Sequence, residues 1–213
     1  GGDGQQTKMR DEIKIWDANT GENKGAISRA GGSIYSALFS PDSKKIISVA
    51  TNFGNDGGPQ LWDAADGHFI TNIKVFDNSF VVLSRFSPDG SKILVISGDG
   101  EARLLDATTF QTAAVYKGLP NIPINAEFSH DGQKLIKSFD DNTAKIWNAV
   151  TGTKTADLLG HGDDVFAATF TPDNRSIITC SNDNPQKTWD ANGNLLYTFF
   201  AEDSRDYLVF EKF

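Results

Sequence analysis

The chain has 213 residues, of which 38% are hydrophobic and 23% charged, and its formal net charge at pH 7 is −8. This length suits one globular domain, and an acidic protein is a poor partner for the phosphate backbone of nucleic acid. There is no apolar run of the roughly 18 residues that a membrane helix needs and no secretory leader, so we expect a cytoplasmic protein that does not engage membranes.

Two motifs recur along the chain at a nearly fixed spacing. The first is a dipeptide of a large apolar residue and Asp or Asn, found at Trp16-Asp17, Trp62-Asp63, Leu105-Asp106, Trp147-Asn148 and Trp189-Asp190. Its steps are 46, 43, 42 and 42 residues. The second is a Phe-Ser-Pro-Asp-like tetrapeptide, which begins at Phe39, Phe86, Phe128 and Phe170. A fixed period of this size is typical of a repeat architecture.

Each repeat contains the signals of four short strands. In the last repeat, β-prone runs at 165–170, 176–180, 187–190 and 195–200 alternate with turns rich in Pro, Asp, Asn and Gly. The period predicts four such antiparallel meanders, at about residues 33–74, 79–117, 122–158 and 165–200. One meander cannot bury both of its faces alone, so we expect neighbouring meanders to stack.

These motifs resemble those of the WD-repeat β-propeller family, and the resemblance extends over essentially the whole chain. The family places an Asp six residues before the Trp, and that position holds Asp56, Asp99, Asp141 and Asp183. It also favours a Gly-His pair near the start of a repeat, which only Gly160-His161 supplies. The resemblance implies an all-β propeller of four-stranded antiparallel blades.

Two blade counts are compatible with the sequence. Residues 206–213 resemble a first strand and residues 1–28 carry a third and a fourth, so the two ends are predicted to build a fifth, closing blade. In that case residues 1–213 form one five-bladed domain, which removes exposed sheet edges. The alternative is a fragment of a larger propeller, commonly seven-bladed in this family.

Structural roles are predicted for the residues that the repeat itself explains. The tryptophans are expected to fill grooves between sheets while each indole N–H finds an acceptor, and the turn carboxylates to accept hydrogen bonds. The resemblance implies that His161 bonds to Asp183 or to a strand hydroxyl, Thr179 or Ser181. The residues with predicted structural roles are Asp56, Asp99, Asp141, Asp183, His161, Trp62, Trp147 and Trp189.

Catalytic, metal and cofactor chemistry is not expected. The turn carboxylates occur once per repeat, whereas a glycosidase needs one close pair. The three histidines stand at different phases of the repeat, and Cys180 is the single cysteine, so a zinc site is not expected.

The loops at one end of the blades are the predicted binding surface. In this family the end where first strands begin and second-to-third turns lie binds partners, and the predicted contact residues are Phe53, Phe80, Ile122, Asp140, Asp164 and Asn182. The favoured function is a non-catalytic scaffold that binds a protein or peptide. The alternative is a lectin-like propeller that binds small ligands or carbohydrate, although the equivalent positions Ser33, Phe80, Ile122 and Asp164 do not repeat one residue type.

Overall fold

The computed structural model describes residues 12–28, 34–50, 58–77, 79–116, 124–183 and 185–200, and the regular structure in them is β-strand throughout. These strands form one two-stranded hairpin and four four-stranded antiparallel sheets, each running in simple meander order. The prediction of an all-β fold with four-stranded antiparallel blades is confirmed. The ends that would build the closing blade, residues 1–11 and 206–213, lie outside the described residues.

The strands follow the two recurring motifs. The hairpin comprises β1 (Glu12–Trp16) and β2 (Asn23–Ser28). Blade one comprises β3 (Ile34–Phe39), β4 (Lys45–Ala50), β5 (Gln60–Asp63) and β6 (Phe69–Asn72). Blade two comprises β7 (Val81–Phe86), β8 (Lys92–Ser97), β9 (Ala102–Asp106) and β10 (Thr112–Tyr116). Blade three comprises β11 (Asn125–Phe128), β12 (Lys134–Ser138), β13 (Ala144–Asn148) and β14 (Lys154–Leu158). Blade four comprises β15 (Val165–Phe170), β16 (Ser176–Ser181), β17 (Gln186–Asp190) and β18 (Leu195–Phe199).

The chain divides into two compact units, Gly1–Ser84 and Arg85–Phe213. In the first unit, Ile15 and Ile27 of the hairpin share a buried apolar cluster with Ile46 and Trp62 of blade one. In the second unit, blades three and four share another cluster, in which Ile146 and Leu158 of blade three meet Trp189 of blade four. The hairpin and blade one thus bury apolar faces against each other, as do blades three and four, in the way that stacked repeats require.

The Phe-Ser-Pro-Asp motif closes the turn between the first and second strands of each blade. In blade two, the Ser87 hydroxyl donates to Asp89 Oδ1 over 2.6 Å, while the Lys92 amide donates to Ser87 Oγ over 2.9 Å. The same pair of bonds forms in the other three blades, around Ser40, Ser129 and Thr171. The motif recurs because a Ser or Thr hydroxyl and a carboxylate two residues later form the hydrogen bonds that stabilise this turn.

The Asp or Asn of the recurring dipeptide caps the next turn at the same end of the blade. Asp106 Oδ1 accepts the amide of Thr108, and Asn148 Oδ1 accepts that of Val150, each over 3.0 Å. The turn after Asn148 also places Gly152 at a positive φ of 71°, where a Cβ would lie 2.7 Å from the Val115 carbonyl oxygen of blade two. A side chain there would therefore force blades two and three apart. None of the described residues forms a helix able to span a membrane.

Candidate functional site

His161 lies at the start of blade four and forms hydrogen bonds through both ring nitrogens. Its Nδ1 is 3.0 Å from Asp183 Oδ1, and its Nε2 is 2.8 Å from Thr179 Oγ1. The same Thr179 oxygen accepts the indole N–H of Trp189 over 2.8 Å. The contacts expected for His161 are therefore present, and they join the entry loop, β16, β17 and the turn between those strands.

The electrostatics of this network favour a neutral imidazole facing an ionised carboxylate. Burial lowers the pKa of His161, and the neighbouring Asp183 offsets this only in part. The pKa of Asp183 is also lowered, because hydrogen bonds from the Gly162 amide and from His161 outweigh the opposite effect of burial. Both ring nitrogens of His161 are thus engaged within the blade, and the ring is buried.

We expect this network to make the protein acid-labile. Since the unfolded chain binds a proton at His161 near pH 6.5 and the folded chain only at lower pH, the free energy of unfolding falls as the pH drops below 6.5. One proton limits the loss to about 1.4 kcal/mol per pH unit. Urea unfolding between pH 6.5 and 5 measures it. The His161→Gln variant, which cannot titrate there, should show a smaller slope, and equal slopes would contradict the assignment.

The other turn carboxylates find partners within their own blades. Asp99 accepts the hydroxyl proton of Ser97, and Asp141 accepts the Thr143 amide over 3.2 Å. Lys145 Nζ also lies 3.3 Å from Asp141 Oδ2. Among the described residues, no group of three or more His, Cys, Asp or Glu side chains is placed to hold a metal ion.

The tryptophans differ in how their indole N–H is satisfied. Trp62 donates to Ser48 Oγ over 2.8 Å, and Trp189 donates to Thr179 in the same way. Trp147 is fully buried, and its Nε1 has no hydrogen-bond partner among the described residues. The expectation of an acceptor for every indole is therefore wrong for Trp147. Blade three carries Lys137 at the position where blades one and four carry Ser48 and Thr179. The hydroxyl that accepts the indole proton in those two blades is therefore missing at this position.

Backbone hydrogen bonds tie together the loop end of blades three and four. The Ile124 amide donates to the Ser138 carbonyl over 2.9 Å, and the Val165 amide donates to the Phe139 carbonyl over 3.1 Å. The Asn182 amide then donates to the Asp164 carbonyl over 3.1 Å. The starts of β11 and β15 are therefore held beside the turns that follow β12 and β16.

Two apolar side chains at this end are exposed. Ile124 is 46% exposed and Phe166 43%, and each stands four residues before the motif phenylalanine of its repeat. Neither residue is among the binding residues predicted from the sequence. The sequence signal for these residues is their shared position in the repeat. Two adjacent repeats both place a large apolar residue four positions before the motif phenylalanine.

The predicted binding residues fall into three groups. Phe53 and Ile122 lie outside the described residues, as does the predicted structural residue Asp56. Phe80 belongs to the first compact unit, directly precedes β7 and is 46% exposed. Asp140, Asp164 and Asn182 lie in the second unit, at the loop end that also carries Ile124 and Phe166. We call the set Ile124, Asp140, Asp164, Phe166 and Asn182 the loop-end surface.

The loop-end surface is acidic around its apolar pair. Asp140 and Asn182 are exposed and Asp164 is half-buried, while the adjoining Asp163 is exposed as well. Lys145, which follows Asp140 along the chain, is paired with Asp141 and lies 3.9 Å from Asp157. Chemically, this arrangement offers apolar contact and negative charge.

Comparison with protein-family models gives a match that falls on the network just described. Residues 152–184 match the family described as WD domain, G-beta repeat, and the matched segment contains His161, Thr179 and Asp183. Comparison with curated proteins gives no match. Residues 152–184 are therefore similar to a WD repeat, and this match supports the WD-repeat family that the sequence resemblance implied.

Proposed function

We propose that this protein is a non-catalytic interaction scaffold that binds a protein or peptide partner on its loop-end surface. The observation that carries the proposal is the exposure of Ile124 and Phe166 at one repeat position on adjacent blades. Exposed apolar side chains grouped at one end of a rigid scaffold are a common feature of protein interfaces. WD repeats generally mediate protein interactions, which supports the same function.

The charge of the surface indicates the chemistry of the partner. Asp140, Asp163 and Asp164 lie beside the apolar pair, and the whole chain carries a net charge of −8. Complementary charge accelerates association and disfavours partners of like sign. We therefore propose a partner segment that combines a Lys or Arg with an apolar anchor residue.

The same contacts argue for a scaffold in preference to an enzyme. Both ring nitrogens of His161 are engaged in hydrogen bonds within the blade, and the Asp183 carboxylate is bonded to Gly162 and His161. The carboxylates of Asp99 and Asp141 are each bonded inside their own turns. Groups that are fully engaged in this way stabilise the blades and are poor general acids or bases.

We expect that altering the loop-end surface abolishes partner capture and leaves the fold intact. Phe166→Ser removes an apolar anchor and Asp164→Lys reverses a charge; either loss at an interface is worth about 2 kcal/mol or more. Phe80→Ala tests the remaining described aromatic of the sequence prediction. The measurement is affinity capture from lysate of the native host, with thermal unfolding of each variant.

Val150→Ser is the matched control, because Val150 is 63% exposed in the turn after β13, at the opposite end of blade three. This variant should capture the same proteins as the wild type. If all variants capture the same proteins, the binding surface lies elsewhere. If a glycoside panel reveals hydrolysis that a carboxylate variant loses, the scaffold proposal is wrong.

A further inference from the structure

Blade three carries a lysine in a place where its neighbours carry a hydroxyl. Thr179 and Ser48 each stand two residues after the cross-strand partner of a tryptophan, and each accepts that tryptophan's indole proton. The equivalent residue of blade three is Lys137, two residues after Leu135, the partner of Trp147. In blade two, Leu105 replaces the tryptophan and Val95 stands at the position of the hydroxyl residue. Neither side chain requires a hydrogen bond.

Lys137 is buried without a polar partner. Its relative exposure is 0%, and its Nζ makes no hydrogen bond within the part of the chain that the structure describes. The nitrogen lies 4.5 Å from the centre of the Tyr116 ring and 4.8 Å from that of the Trp147 ring. Tyr116 belongs to β10 of blade two, and its hydroxyl donates to the Ala149 carbonyl of blade three over 2.8 Å. Lys137 thus lies in the contact between two blades.

Among the residues that the structure describes, the charged groups around this contact do not neutralise a lysine cation. Across the sheet, Lys137 faces Ala126 on β11 and Lys145 on β13. Lys145 engages the carboxylates of Asp141 and of Asp157 on β14. From blade two, β10 contributes Tyr116, and Arg85 on β7 reaches blade three by donating to Asn125 over 3.4 Å.

We propose that Lys137 is a proton-operated switch in the contact between blades two and three. As a neutral amine its side chain packs between Tyr116 and Trp147, and on taking up a proton it favours an open contact in which water reaches the ammonium group. The aromatic rings attract the cation, but two ring faces replace only part of the hydration that a buried ammonium loses. Burial lowers the pKa of Lys137 to about 7, whereas an open, hydrated lysine titrates near 10.5.

The direction of the effect follows from linkage. Between pH 10.5 and 7 the open state holds a proton that the closed state lacks, so lowering the pH favours opening by up to tenfold per pH unit. Below pH 7 both states hold the proton and the dependence ends. The window is distinct from that of His161, which lies below pH 6.5.

The switch also adjoins the loop-end surface. Ser138 follows Lys137 in β12, and its carbonyl accepts the Ile124 amide. Opening of this contact would therefore weaken partner binding as the pH falls toward 7. This consequence rests on the proposed function, whereas the switch itself does not.

The test is NMR of the intact chain without a partner. The ¹³Cε resonance of Lys137 should titrate near pH 7, and the protection factors of the β10 amides should fall up to tenfold per unit between pH 9 and 7. In Lys137→Met and Lys137→Thr these protection factors should not change with pH, and the β16 amides of blade four should be unaffected in every protein.

A Lys137 midpoint above pH 9.5 would overturn the proposal, because the closed state would then already hold the proton. Equal pH dependence of the β10 amides in wild type and variants would overturn it as well. Should one variant fail to fold, the other variant and the direct titration still decide. Since no partner is used, these outcomes do not depend on the proposed function.

Discussion

Replacing Thr179 with valine is expected to lower the free energy of unfolding by about 2–4 kcal/mol. Valine has the shape of threonine but lacks the oxygen that accepts the Trp189 indole proton and bonds His161 Nε2. Both ring groups are buried, so the substitution leaves a buried donor without its acceptor and a second buried nitrogen without its partner. Urea unfolding at pH 7.5 measures the loss.

Ser48→Ala in blade one is the matched comparison. It removes the acceptor of Trp62 alone, over the same 2.8 Å bond, and no histidine is bonded there. We expect it to cost about 1–2 kcal/mol, less than Thr179→Val. Equal losses would show that the His161 bond contributes nothing, and an unchanged Thr179→Val protein would contradict the structural role of the network.

Replacing Lys137 with threonine is expected to stabilise the protein by about 1–4 kcal/mol at pH 7. The change removes a buried amine that has no hydrogen-bond partner among the described residues, and places a hydroxyl where Thr179 stands in blade four. That hydroxyl supplies Trp147 Nε1 with the acceptor that it lacks. The gain should shrink steadily as the pH rises from 7 to 10.5, because in that range the unfolded chain holds a proton that the folded chain lacks, and it should be constant above pH 10.5. Thermal and urea unfolding from pH 7 to 10.5 measure it.

Lys145→Thr is the control for this experiment. Lys145 lies across the sheet from Lys137 and is also largely buried, but its Nζ contacts Thr143 and the carboxylate of Asp141. Removing it leaves that carboxylate without its cation, so we expect no gain and a modest loss. If both lysine variants stabilise the protein alike, the effect reflects net charge and not the position of Lys137.

The fold was predictable from sequence because each recurring motif acts within its own repeat. Ser87 and Asp89 fix one turn by local hydrogen bonds, and Asp106 caps the next. Such hydrogen bonds join residues that are two to five positions apart, so the motif that forms them can be recognised from the sequence alone. The His161 contacts were also predictable, because the family resemblance implies them.

The features missed are those that depend on contacts between repeats. Lys137 was not singled out, since a lysine in a short strand ordinarily points to solvent, and only the stacking of blade two against blade three buries it. Ile124 and Phe166 are not among the binding residues predicted from the sequence, because the strand pattern alone does not show that their side chains are exposed. Sequence periodicity predicts which side chains share one face of a strand. It does not predict which neighbouring element covers that face.

The most direct test of the interaction surface is site-specific photocrosslinking in the native host. A benzoylphenylalanine residue placed at Phe166 samples the loop-end surface, and one placed at Val150 samples the opposite end of the same unit. We expect the probe at position 166 to crosslink one partner at a segment with Lys or Arg beside an apolar residue, and Asp164→Lys to abolish the crosslink. The probe at position 150 should give none. Crosslinking of the same partner from position 150 and not from position 166 would contradict the account.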